Sequence, residues 1–426
     1  MLDIRLIRSE PEAVRQALSR RGEAAAIDEL LALDARRREL ITQSEQLKAR
    51  QNQASEEISR IKREGGDATA IIAEMKDISA RVKGLDAECR SVESEMEAML
   101  AKLPNIPHES VPDGLSEECN LPVDHWGEPR TFDFPPRPHW EIAEALDILD
   151  FERGARIAGS GFVLYKKGGA RLERALINFM LDMHISRHGY VEMYPPFLTR
   201  SEVLYGSGKL PKFADDMYHV QLDDLWLNPT AEVPITGIHV DEILPPGSLP
   251  LKYVAYCASF RREAGAAGKD TRGLIRLHQF DKVELFQFTE PEKSYDALEE
   301  MLRHARAVLE ALELPYRVLN CCAGDIGQAA SKMYDVEVWA PGLERWLEVS
   351  SVSNCTDYQA RRSNIRFRRE AGAKPELVHT LNGSGIALPR TVIAILENGQ
   401  REDGSVTIPK ALRPYMGGME ELRPEG

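Results

Sequence analysis

The 426-residue chain has no CxxC pair: Cys89, Cys119, Cys257, Cys321, Cys322 and Cys355 follow no regular spacing. That pattern speaks against a structural zinc site or a disulfide framework, so all six are expected as reduced thiols. Long apolar runs are missing too. The stretch MLDIRLIRSEPEAVRQALSRRG scatters charge where a secretory signal or membrane helix would be continuously apolar, and a cytoplasmic protein with no membrane partner is expected. Positive charge is in deficit, with 54 Lys and Arg against 68 Asp and Glu and a formal net charge of -14. Nucleic acid held by bulk charge is thereby excluded, and any such contact must come from local basic patches. A P-loop is absent as well: GSGKL, Gly206 to Leu210, lacks the GxxxxGK spacing, and no Ser or Thr follows Lys209. What is present, 43% hydrophobic and 29% charged residues, suffices for a large core and two or three structural units.

Between Leu30 and Leu103 the pattern is helical. Ile71, Met75, Ile78, Val82, Leu85, Cys89, Val92, Met96, Met99 and Leu103 alternate steps of four and three, as the a/d seam of a coiled coil does. Leu33, Leu40, Leu47, Ala54 and Ile61 repeat every seven residues before it, and Gly65 and Gly66 separate the two runs. The simplest geometry is one antiparallel helical hairpin with arms roughly 50 Å long. A body so thin suits dimerisation or an arm that reaches something large, rather than catalysis. Near its turn Lys48, Arg50, Arg60, Lys62 and Arg63 outnumber Glu56 and Glu57, although a charge run is usually only a solvated face.

Prolines 104, 107, 112, 122, 129, 135, 136 and 138 then rule out continued helix. The expected division is residues 1–103, a proline-rich linker 104–137, and a second domain 138–426. In that domain Arg171 to Arg187 and YDALEEMLRHARAVLEAL read as helices, while YVEMYPPFL, YVAYCASFRRE, IRLHQFDKVELFQF, MYDVEVWA and RWLEVSS read as strands. Strands outnumber crossover helices, so an α+β fold with a mostly antiparallel sheet is expected.

One hairpin concentrates the positive charge. A strand over IRLHQFDKVELF would put Arg276, His278, Phe280, Lys282 and Glu284 on one face, with Leu277, Val283 and Leu285 on the other. Ser259, Arg261 and Glu263 would share a face of the preceding strand. Arginine forks suit phosphate oxygens, an aromatic face suits a purine, and a carboxylate suits an amino group. These are the needs of an ATP site built without a P-loop, and the alternative is a solvated face of cross-strand ion pairs. Further on, LNGSGIALPRTVIAILENG reads as a Gly-Ser-Gly loop feeding a helix that starts near Pro389, with Arg390 in its first turn. A cation there opposes the helix dipole unless an anion or a stacked ring compensates.

Together YVEMYPPF, FRRE...RLHQF and the glycine-rich segment leading to Arg390 resemble the three signature motifs of class II aminoacyl-tRNA synthetases. With NPTAEVPIT, LEVSSVSN, LVHTLNGSGIAL and the long hairpin, nearly the whole chain resembles seryl-tRNA synthetases of bacterial type. The resemblance implies ATP and Mg²⁺ as cofactors, L-serine and tRNA(Ser) as partners, and a homodimer; it leaves open whether tRNA(Sec) is charged. It implies catalytic roles for Arg261 and Arg276 on the α- and γ-phosphates. The ATP site would further comprise Arg262, Glu263 at the adenine amino group, the ring between Phe280 and Arg390, and Glu348, Val349, Ser350 and Ser351. Glu348 and Ser351 would also hold the metal; their spacing of three requires a bulge or strand end. Serine would meet Thr230 and Glu232 through its ammonium, Glu284 and Ser384 near its hydroxyl, and Ala231 and Arg261 as further contacts. Arg50, Arg60, Lys62 and Arg63 on the arm, and Lys269 and Arg272 in the basic loop Gly265 to Arg272, would meet tRNA. Val352, Cys355 and Gly399 depart from the family pattern; none is a role-bearing position, though Val352 adjoins the implied metal ligand Ser351. Two rival readings are a ligase that loads a carrier protein, whose members lack the arm, and an inactive RNA-binding relative, which would have lost ATP ligands.

Overall fold

The computed structural model describes residues 1–23, 26–264 and 272–424. The chain divides into two compact units, residues 2–19 with 23–103, and residues 1, 20–22 and 104–426. Among the described residues no helix is long and apolar enough to cross a membrane.

The first unit holds α1 (Ile4–Ser9), α2 (Pro11–Ser19), α3 (Ile27–Arg63) and α4 (Thr69–Leu100). The long pair is the expected coiled-coil hairpin, its arms starting and ending three residues earlier than the expected 30–103. Leu40 and Ala54 of α3 and Ile78, Val82, Val92 and Met96 of α4 are buried in the seam. At the turn Gly65 has φ +72°, a conformation glycine adopts without strain. The periodicity did not show that the seam also carries buried polar groups. Asp34 is fully buried and accepts from Arg8 Nε at 2.8 Å, with Arg38 Nε at 3.1 Å. Ser44 Oγ donates to Asp86 Oδ1 at 2.7 Å across the pair.

The second unit is built on an eight-stranded sheet. Its strands are β1 (Leu121–Trp126), β2 (Val191–Met193), β3 (Leu251–Phe260), β4 (Gln279–Thr289), β5 (Tyr316–Asn320), β6 (Lys332–Ala340), β7 (Arg345–Thr356) and β8 (His379–Ala387). The order is β1-β5-β6-β7-β8-β4-β3-β2, antiparallel except between β2 and β3. Helices α5 (Lys167–His188), α6 (Ser294–Ala311) and α7 (Leu388–Gly399) pack on one face. The segment 104–137, expected as a linker, belongs to this unit and supplies its edge strand β1. Along β4 the period of two holds. Val283 and Leu285 enter the core with Leu172, Leu176 and Ile393, each worth about 1.5–3 kcal/mol when buried. Phe280, Lys282 and Glu284 take the other face.

Two local expectations are corrected. Strands β3 and β4 stop at Phe260 and Gln279, so Arg261, Glu263, Arg276 and His278 lie in the connection rather than on the ladder. The reason is a change of hydrogen-bond partner: Arg261 N still donates to His278 O at 2.9 Å, but Arg262 N donates to Asp216 O at 2.7 Å, and Glu263 turns left-handed at φ +49°. His278 consequently leaves the expected polar face, its Nδ1 donating to Arg261 O at 2.9 Å. Likewise Gly383 to Gly385, expected as a loop, form part of β8.

A histidine cluster links α5 to α6. His184 Nδ1 and His188 Nδ1 lie 2.9 Å apart, His188 stacks on His304 with centroids 4.1 Å apart, and Tyr190 and Glu300 close the group. Burial first, then the neighbouring histidines, lower His184 to about 3, and burial and His188 lower His304 to about 4. Both folded values lie below the unfolded value near 6.5, so the unfolded chain takes up protons first. The stabilisation is complete above pH 6.5 and is lost as pH falls toward 4. Denaturant titrations from pH 7.5 to 4 are expected to show a loss on the order of 3 kcal/mol from His184 alone, and His184→Gln to flatten that slope.

Candidate active site

On the sheet face opposite α5 to α7 lies a cavity of about 440 Å³. Its wall is shared by β4, β7 and β8, the start of α7, the connection after β3, residues 207–209, Thr230 and Glu232, and residues 327–330. Two departures from regular pairing shape it. Val336 pairs with Ser350 and Glu337 with Glu348, which leaves Val349 as an extra residue on β7. That bulge turns Glu348 and Ser351 to one side, as their spacing required, with Ser351 Oγ donating to Glu348 Oε1 at 3.0 Å. On β8 the extra residue is Gly385, and Ile386 follows at φ +135°. A β-branched residue there stores strain of order 1–3 kcal/mol, at the point where the strand hands over to α7 and Arg390.

One end of the cavity is acidic and closed. Glu232 and Glu284 are almost fully buried. Glu284 Oε2 accepts from Thr230 Oγ1 at 3.2 Å and pairs with Lys282 Nζ at 2.5 Å. Glu232 pairs with Lys209 Nζ at 2.8 Å, and its Oε1 accepts from Gln359 Nε2 at 2.7 Å and Asn382 Nδ2 at 3.0 Å. Ser384 lies two residues beyond Asn382 on the same wall.

The other end is cationic and more open, where Arg261, Arg276 and Arg390 converge. Arg261 lies over the Phe280 ring, 5.0 Å from its centroid, and its Nε donates to Pro229 O at 3.3 Å. Arg276 is ion-paired with Glu263. Arg390 Nη1 donates to Glu348 O at 2.6 Å and lies 3.4 Å from Glu348 Oε2. Desolvation opposes ionisation of Glu348, but Arg390, the Ser351 hydroxyl and Arg261 outweigh it and hold the carboxyl below its usual range. Its oxygen and that of Ser351 are hard donors 3.0 Å apart, a pair that fits a small divalent cation.

Most of the residues expected at the site meet on this wall, and four do not. Arg262 is exposed and does not line the cavity, and its backbone N–H donates to Asp216 O. Ala231 packs in a core cluster with Ile235. Ser350 is buried, its Oγ donating to Ser384 O at 2.6 Å. Arg272 is off the wall, 4.5 Å over the Trp140 ring. Lys269 lies outside the described residues.

Sequence reasoning also missed residues. Lys209, set aside with the false phosphate loop, reaches Glu232 from a remote helix end, and no local pattern marks that contact. Lys282 was placed on the right face but given no role, and Asn382 was legible in principle, since it lies two residues from the expected ligand Ser384 on the same strand. Cys355, one of the departures from the family pattern, lines the wall 3.5 Å from Asn382 Nδ2; burial, then Glu232, push its thiol up, so it is neutral. His139 acts one layer out. Its Nε2 accepts from Leu274 N at 3.0 Å, and a side chain at Gly273 (φ +73°) would come within 2.1 Å of that nitrogen. This contact fixes the segment that carries Arg276.

Residues 1–107 match the family described as Seryl-tRNA synthetase N-terminal domain, and residues 217–399 match the tRNA synthetase class II core domain (G, H, P, S and T). A serine–tRNA ligase of Caldanaerobacter subterraneus subsp. tengcongensis is 58% identical over 416 residues, 98% of each chain. Among solved structures, the seryl-tRNA synthetase of Pyrococcus horikoshii complexed with ATP superposes with a TM-score of 0.95 at 41% identity, covering 100% of both chains. The cytoplasmic serine–tRNA ligase of Naegleria fowleri in complex with AMP gives a TM-score of 0.89 at 30% identity, covering 100% of this chain and 99% of the other.

Proposed function

The chain belongs to the seryl-tRNA synthetase family, a class of ATP-using serine–tRNA ligases, and we propose how its cavity divides that work. The carrying observation is the junction, in one cavity, of a closed acidic end with an open arginine-lined end. L-serine occupies the acidic end. Its ammonium meets Thr230 and Glu232, and its hydroxyl meets Glu284, which is paired with Lys282, with Ser384 beside it. ATP occupies the arginine end, with Arg261 on the α-phosphate, Arg276 on the γ-phosphate, Glu263 at the adenine amino group and the base between Phe280 and Arg390. In both ion pairs now made by these groups, Arg276 with Glu263 and Arg390 with Glu348, substrate atoms would take over one partner.

The serine carboxylate oxygen attacks the α-phosphorus in line, the bond to the bridging oxygen breaks, and pyrophosphate leaves with that electron pair. A terminal ribose hydroxyl of tRNA(Ser) then takes the seryl group and AMP departs. No side-chain nucleophile is required; catalysis is positioning plus charge stabilisation by Arg261 and Arg276. Glu348 and Ser351 would hold Mg²⁺, which neutralises phosphate charge when bound.

The test is pyrophosphate exchange into ATP with each of the twenty amino acids. Serine is expected to support it and alanine to fall by about 10³-fold or more, because buried groups that bond a hydroxyl are left unpaired without it. Exchange that is independent of serine, or equal with alanine, contradicts the assignment.

Three further proposals concern surroundings. A homodimer is supported by edge strand β2 and the residue after it, where Val191 and Tyr194 remain 56% and 78% exposed; light scattering at micromolar concentration should give twice the chain mass, and a monomeric mass contradicts it. The arm is proposed to bind tRNA through Arg60, Lys62 and Arg63, which are exposed next to its turn. Arg50 is the weaker candidate, because it pairs with Glu74 at 3.1 Å within the hairpin. This work on tRNA also supports a cytoplasmic location.

A further inference from the structure

Beside the cavity, a thiol and two carboxylates from three separate places come together: the ligand atoms of Cys321, Asp325 and Asp335 lie within 4.8 Å of one another. We propose that they form a second divalent-cation site, of zinc-binding character, distinct from the Glu348 and Ser351 pair. Spacing along the chain could not reveal it, since the ligands come from the end of β5, the turn after it and the middle of β6.

Leu319 of β5 pairs with Asp335 of β6, which pairs in turn with Ser351 of β7. Cys321 lies two residues beyond Leu319, and its backbone N–H still donates to Met333 O at 3.1 Å, so it keeps the face of Leu319 and Asp335. Asp325 approaches from the turn, its Oδ2 accepting from Asn120 Nδ2 at 2.8 Å, while Asn120 Oδ1 accepts from Cys322 N at 2.9 Å. An oriented carboxylate of this kind is what a metal ligand needs from its surroundings.

The second observation is independent of the clustering. Asp335 is only 8% exposed; Ser351 and the Cys321 thiol bond to its carboxylate, yet its Oδ1 has no hydrogen-bond partner among the described residues. A buried carboxylate oxygen without a donor is unfavourable and calls for a proton or a cation. Cys321 is fully buried beside it. Sulfur among the ligands favours zinc over magnesium, which prefers oxygen alone. On binding, the Cys321 proton passes to solvent as the metal–sulfur bond forms. The ion would tie the turn after β5 to β6. Gly327, Gln328, Ala329 and Ala330, which follow that turn, line the cavity, so the ion's work is to fix this wall.

The test uses the full-length protein, stripped with a chelator, reloaded with zinc chloride in magnesium-containing buffer, and passed through a desalting column. One retained equivalent of zinc is expected, and cobalt in its place should give a sulfur-to-cobalt charge-transfer band. Cys321→Ser and Asp335→Asn should each weaken binding by about tenfold or more, whereas Cys89→Ser with Cys119→Ser keeps the equivalent. Failure of the native protein to retain zinc would mean that Asp335 holds a proton instead and would overturn the site. Retention by both ligand variants would put the ion elsewhere and overturn it too. Should a variant not fold, the cobalt spectrum of the native protein decides alone, and a missing sulfur band refutes the proposal.

Discussion

Glu284→Ala is expected to reduce serine-dependent pyrophosphate exchange by about 10³-fold or more, equivalent to roughly 4 kcal/mol of transition-state stabilisation. The carboxylate stands at the closed end of the cavity, 2% exposed, bonded to Thr230 and paired with Lys282. Truncation removes the acceptor proposed for the serine hydroxyl and strands the Lys282 ammonium, itself only 7% exposed. Breaking one partner from a buried pair costs about 3–5 kcal/mol, so some loss of stability should accompany the loss of activity. Glu284→Ala combined with Lys282→Met separates the two effects, since it removes both charges and should recover much of the stability while exchange stays low. Exchange at the native rate in a folded Glu284→Ala protein would refute the pocket assignment.

Shortening the arm should have the opposite profile. Ser44 Oγ and Asp86 Oδ1 are 2.7 Å apart, so replacing residues 45–85 with a short glycine-rich turn joins two points already side by side. The cut leaves Asp34 with its partners Arg8 and Arg38. Serine-dependent exchange should stay within about tenfold of the parent, 1.4 kcal/mol or less, because no residue of the cavity wall lies in the removed segment. Charging of tRNA(Ser) should fall by far more. Neutralising Arg60, Lys62 and Arg63 should give a milder loss that shrinks as salt rises, since salt screens the phosphate contacts that only the intact protein makes. A shortened protein that charges tRNA(Ser) as well as the intact one would leave the arm a purely structural role.

The parts of this protein that could be read in advance share one property, that their signal is local. The seam of α3 and α4 recurs at steps of three and four, so neighbours along the chain report the buried face. The alternation of Phe280, Lys282 and Glu284 against Val283 and Leu285 is likewise carried by one strand. Even the bulge at Val349 followed from an awkward spacing between Glu348 and Ser351. The roles of these residues came from resemblance, whose motifs stand in order along the chain.

What lay beyond local pattern depended on partners far apart in sequence. Strand β3 ends at Phe260 because Arg262 finds Asp216, and nothing near Arg262 announces that partner. Buried charges behave in the same way: Glu232 is stable only with Lys209, Gln359 and Asn382 around it, and each arrives on a different element. Burial makes such groups costly unless they are paired, so the choice of partner is settled by packing. Periodicity and motif order thus determined the two-unit architecture and the residue types facing the cavity. Only the tertiary structure decided that Lys209 neutralises Glu232, and that Cys321, Asp325 and Asp335 meet, because long-range contacts fix these and leave no mark in local sequence.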